Sequence, residues 1–88
     1  MQIQIHQLNP TTFEVTVEAR ATTTHTVTLT SGYHQKLTGG RLSAEQLIRN
    51  SFEFLLERES NTSILSRFDL PLIQTYFPDY EETIGETG

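Results

Sequence analysis

The groups in this 88-residue chain that could do chemistry are three histidines, a Gly-Gly-Arg loop and many hydroxyl side chains. A metal centre would need His6, His25 and His34, or added carboxylates, to converge in space. No i, i+4 or H-E-x-x-H spacing brings them together, and His6 falls on the polar side of a strand. The chain has no cysteine, which removes thiolate ligation and disulfides. A serine or threonine nucleophile needs a base held by a third group, and no G-x-S-x-G elbow frames any of them. Paired carboxylates need a pocket that separates their pKa values. The acids instead crowd a hydrophilic C-terminal half, where solvation accounts for them. No metal, cofactor or small-molecule ligand is indicated, and the chain reads as non-enzymatic.

The segment "LTGGRLSAEQ" (37–46) raises the possibility of an anion cradle, since glycines before a helix can expose backbone N–H groups to a phosphate. Here the glycines stand four and three residues before Ser43, outside the first turn, and neither G-x-x-x-x-G-K-[ST] nor G-x-G-x-x-G fits. They read instead as punctuation, with Gly39 or Gly40 in a left-handed C-cap. Arg41 alone keeps an anion-binding role, as a cation near a helix start.

Two segments suggest contact with another chain. In "TTTHTVTLT", Thr24, Thr26 and Thr28 share a face that tolerates exposure, and a free edge could pair with a partner strand; an ordinary wet sheet face is the alternative. In "FDLPLIQTYFPDY", Phe68, Leu72, Ile73, Tyr76, Phe77 and Tyr80 are either core beneath the main helix or a partner-facing patch, rich in the aromatic residues that interface centres favour. The most economical function is a protein-interaction module that self-associates as a homodimer or binds another protein.

Several elements must position these residues. Met1, Ile3 and Ile5, then Phe13, Val15 and Val17, then His25, Val27 and Leu29, each alternate with polar residues, the pattern of half-buried strands. Short links at "LNPTT" and "EARATTT" make these three strands an antiparallel meander. "SGYHQKLTGG" holds one or two helical turns, with Ser31 as N-cap. Ser43 and Gln46 form a capping box, with Leu42 and Leu47 as its staple. Leu47, Ile48, Ser51, Phe52, Leu55 and Leu56 then stripe a helix from about 44 to 59. "ILSRF" reads as a helical turn, Asp69 caps a segment carrying Pro71, and Pro78 ends it. The expected fold is α+β: a three-stranded antiparallel meander covered by one long helix, with short C-terminal helical turns. One domain spans 1–82, and 83–88 form a flexible tail.

Of the 88 residues, 24 are Leu, Ile, Val or Phe, enough for a folded core of modest size. The net charge of −5 is uneven: residues 1–50 sum to +1 and residues 51–88 to −6. An acidic chain without a basic cluster argues against direct nucleic-acid binding. The N-terminus lacks the continuous apolar run of a signal peptide or membrane span, so a cytoplasmic location is expected.

"LTGGRLSAEQLIRNSFEFLLERE" and "SILSRFDLPLIQTYFPDY" together resemble a group of short bacterial proteins. These share an SFEFLLERE-type helix and an ILxRFDLxxIxxYFPxY ending, and the likeness covers about residues 30 to 82. It implies a bacterial cytosolic protein and carries no activity with it. The strand-strand-strand-helix order is also similar to that of HicB-like antitoxins. That architectural likeness implies the alternative function, a regulatory protein reaching nucleic acid only through a dimer or a basic partner.

Overall fold

A computed structural model describes residues 2–87. Along the chain run β1 (Gln2–Asn9), β2 (Thr12–Glu18), β3 (Thr22–Thr28), α1 (Ser31–Thr38), α2 (Ala44–Leu56), a 3-10 turn (Asn61–Ser63), β4 (Arg67–Asp69), α3 (Leu72–Tyr76) and α4 (Tyr80–Thr87). The fold is α+β, with one mixed sheet in the order β1-β2-β3-β4. β1, β2 and β3 form the expected antiparallel meander, and β4 joins β3 in parallel through Thr26↔Arg67, Val27↔Phe68 and Thr28↔Asp69. A parallel neighbour needs a long crossover. Here α1, α2 and the 3-10 turn supply it, all between β3 and β4.

The sheet's alternation sorts its side chains cleanly. Ile3, Phe13, Val15, Val17, Val27, Leu29 and Phe68 are buried on one face, with Leu70 just past β4. The opposite face carries Gln4, His6, Thr16, Thr24 and Arg67 toward solvent. Met1, expected beside Ile3 and Ile5, lies outside the described residues.

Helix α2 covers the apolar face with Leu47, Ile48, Ser51, Phe52 and Leu55, while Leu56 is only half-buried. Phe54, absent from the expected stripe, is also buried. It lies three residues beyond Ser51, on a flank of α2 that α4 covers. The start of α2 is the one anticipated, with the Ser43 Oγ accepting from the Gln46 N–H at 3.1 Å. The reciprocal half of the capping box is not made, because the Gln46 amide donates forward to Asn50 at 2.8 Å. The helix ends at Leu56 rather than near 59.

Three expectations for the remaining chain are corrected. Thr30, not Ser31, caps α1 by accepting from the Tyr33 N–H. "ILSRF" is not a helical turn, since Arg67, Phe68 and Asp69 alternate exposed, buried, exposed as strand β4 beside β3. Asp69 belongs to that strand and caps nothing, and α3 begins after Pro71 without a side-chain cap. Helix α4 runs from Tyr80 to Thr87 and buries Ile84.

Candidate functional site

The C-terminal aromatic segment divides between two places. Phe77 leaves α3 with φ −130° and ψ 90°, the extended backbone that the following Pro78 favours. The turn separates Tyr76, 64% exposed, from Tyr80, which is completely buried.

Tyr80 closes one flank of α2. Ser51 Oγ donates to the Leu47 carbonyl at 2.8 Å, so the Tyr80 hydroxyl supplies the proton in its 2.6 Å bond to Ser51 Oγ. Its ring meets Phe54 edge-on at 5.3 Å, and Phe77 meets the same ring at 5.9 Å. The Arg58 guanidinium lies 3.6 Å from the Phe54 ring centre and pairs with Asp79 at 3.2 Å. Burial raises the Tyr80 pKa well above the ordinary tyrosine value. Tyr33 is raised too, first by burial and then by its 2.8 Å bond to Glu81, which also lies 3.7 Å from Lys36.

The other flank is open. A groove of about 400 Å³ lies between the end of α2, the 63–68 segment and α3. Phe68, Leu72, Tyr76 and Phe77, four of the residues proposed from sequence, line it together. Leu55, Ile64 and Ile73 complete the apolar wall, with Leu65 at the lip. Leu65 is 49% exposed. The polar lining side chains are Glu59 and Ser63, besides the Tyr76 hydroxyl. These include one carboxylate and no imidazole or amine, so the lining is chiefly apolar.

A buried histidine holds the groove's lip in place. The Leu65 carbonyl can only accept, so its 2.7 Å bond to His25 puts the ring proton on Nδ1. His25 Nε2 then accepts from Thr23 Oγ1 at 2.8 Å, and Thr23 Oγ1 accepts from the Asn61 amide at 2.9 Å. Asn61 also donates to the Ala21 carbonyl at 2.9 Å. The alternation of β3 puts His25 on the core face, but nothing local to it signals this chain of bonds. The partner of its Nδ1, the Leu65 carbonyl, lies 40 residues away, a separation no local pattern reports.

The other proposed residues lie elsewhere. Thr24, Thr26 and Thr28 lie on the open sheet face, and β3 is an inner strand of the sheet, not an edge. Arg41 donates through Nε to the Thr38 carbonyl at 3.1 Å, so its guanidinium serves the C-terminal end of α1. Gly39 and Gly40 both have positive φ, 61° and 84°, and the Gly39 N–H closes α1 onto the Gln35 carbonyl. The loop is punctuation. Among the described residues no three His, Asp or Glu side chains gather as metal ligands, and no helix is long and apolar enough to cross a membrane.

Comparison with protein-family models, with curated proteins and with solved structures returns no match.

Proposed function

We propose that the protein is a non-enzymatic interaction module whose groove receives an exposed segment of another polypeptide. The observation that carries this reading is the apolar groove left open between α2 and α3, with Leu65 and Tyr76 exposed at its mouth. A tyrosine beside an aliphatic residue at the rim of an apolar hollow is the composition of an interface centre. The groove has room for one or two bulky side chains. Glu59 in its wall, within a half-chain of charge −6, favours a cationic neighbour to that anchor. The occupant is thus a short segment in which a large apolar residue stands next to Lys or Arg.

A displayed random-peptide library tests this directly. Enrichment of bulky apolar residues flanked by Lys or Arg is expected, with retention lost in Tyr76→Ala and Leu65→Asp and thermal melting unchanged. If nothing is enriched, or the enriched peptides bind both variants equally, the groove is not a docking surface.

A further inference from the structure

A second surface is independent of the groove. The Thr26 N–H donates to Ser66 O, and the Thr28 carbonyl accepts from the Leu70 N–H, so even-numbered residues of β3 turn their backbone groups toward β4. Carried through the pairs Val27↔Phe13 and Glu14↔His6, this alternation makes β2 bond to β1 through even-numbered residues. In β1 the odd-numbered Ile3, Ile5 and Gln7 therefore point their N–H and C=O groups out of the sheet. The position of Arg49 agrees, since its Nη1 donates to the Ile3 carbonyl at 2.9 Å from beyond that edge.

Edge strands are commonly guarded by charge, by proline or by a covering element. Residues 2–9, QIQIHQLN, contain no Lys, Arg, Asp, Glu or Pro. Arg49 covers only the Ile3 end, and the register irregularity between Gln7 and Asn9 lies at the other. Between them the outward groups of Ile5 and Gln7 remain available for pairing. Leu8, 50% exposed, stands beside them on the same strand.

We infer that β1 pairs antiparallel with β1 of a second copy across a two-fold axis at His6. This register bonds Ile5 to Gln7 of the second copy in both directions and leaves the Arg49–Ile3 bond intact. An axis at Ile5 would instead place Gln7 of the second copy on the Ile3 carbonyl that Arg49 already uses. A second copy suits this edge because antiparallel pairing is self-complementary and closes at two chains. It also suits the charge, because two acidic chains meet along a strand that carries no acid. On the open face, Leu8 comes to rest opposite Gln4 of the second copy, and the two His6 side chains face each other. Such an edge contact is smaller than a standard interface, so the dimer dissociates on dilution.

Sedimentation velocity over a wide concentration range should show a monomer–dimer equilibrium. Gln7→Pro removes one outward N–H at an exposed position without touching the β1–β2 ladder. It should leave a monomer at every concentration, with unchanged melting. Because the chain has no cysteine, His6→Cys carries a single thiol. Facing residues of a non-hydrogen-bonded pair have Cα atoms about 4.5 Å apart, within disulfide range. Mild oxidation of His6→Cys should therefore give a covalent dimer, whereas Thr24→Cys, on an inner strand of the same face, stays monomeric. A wild-type chain that remains monomeric, a dimer that survives Gln7→Pro, or a dimer without crosslinking at His6→Cys would each overturn the inference. Loss of the dimer in Tyr76→Ala but not in Gln7→Pro would transfer self-association to the groove.

Discussion

Tyr76 and Tyr80 are separated by one helical turn of sequence, yet one is 64% exposed and the other has no exposed surface. In a continuous helix they would share a face. Pro78 and the extended Phe77 break that continuity, so the two rings leave in different directions. The flank that Tyr80 closes is complete: its hydroxyl has Ser51, its ring has Phe54, and Phe54 is covered again by Arg58. The flank beside Tyr76 has comparable apolar material in Phe68, Leu72 and Phe77, but among the described residues no element is laid over it. One proline thus lets a single aromatic segment supply both buried core and the wall of an open groove.

The largest effect should come from breaking the closed side. Tyr80→Ala removes a fully buried aromatic ring and strands Ser51, at a cost of about 3–5 kcal/mol in chemical denaturation. A loss comparable to that of an exposed residue would mean α4 is not part of the core. His25→Ala should follow at about 2–4 kcal/mol, since it leaves a cavity and deprives both Thr23 and the Leu65 carbonyl of a partner. It should also weaken groove binding by freeing the lip, which separates it from Tyr80→Ala partly refolded in stabilising osmolyte.

Alkaline titration gives a smaller and sharper contrast. Unfolded tyrosines release their protons near pH 10, whereas burial raises Tyr80 and Tyr33 above that value in the folded chain. Unfolding then releases protons, so stability is level below about pH 10 and falls as the pH rises above it, by up to about 1.4 kcal/mol per pH unit for Tyr80. Tyr80→Phe should cost about 1 kcal/mol at neutral pH and flatten that alkaline slope. An unchanged slope would assign the effect to Tyr33. The smallest effect on stability belongs to Tyr76→Ala, within about 0.5 kcal/mol. The same change should cost tenfold or more in peptide affinity, a split that a core residue would not show.

The threonine strand and β1 offer a second contrast of the same kind. Both alternate, and both lack acids, but the threonine strand was the one proposed as a pairing edge. Its neighbour β4 is three residues long, and the R-F-D-L alternation that marks it is too short to tell a strand from a turn. Once β4 is in place, β3 is an inner strand and the sheet's outer strands are β1 and the three-residue β4. The groove was half legible. Its aromatic wall stood out in "FDLPLIQTYFPDY", while Leu55, Ile64 and Leu65 reached it from elements read as core helix and helical turn.

Sequence alone determined what depends on neighbours a few residues apart. The three alternating strands, the Ser43 cap of α2, the glycine punctuation after α1 and the break at Pro78 all follow from local sterics and hydrogen bonding. Tertiary structure decided what depends on partners far away in the chain: the fourth strand, the His25–Leu65 bond, the burial of Tyr80 beside the exposure of Tyr76, and the inner place of β3 in the sheet. Local patterns fix which face of an element is apolar. They do not fix what lies over that face, because burial is shared among elements brought together only when the chain closes on itself.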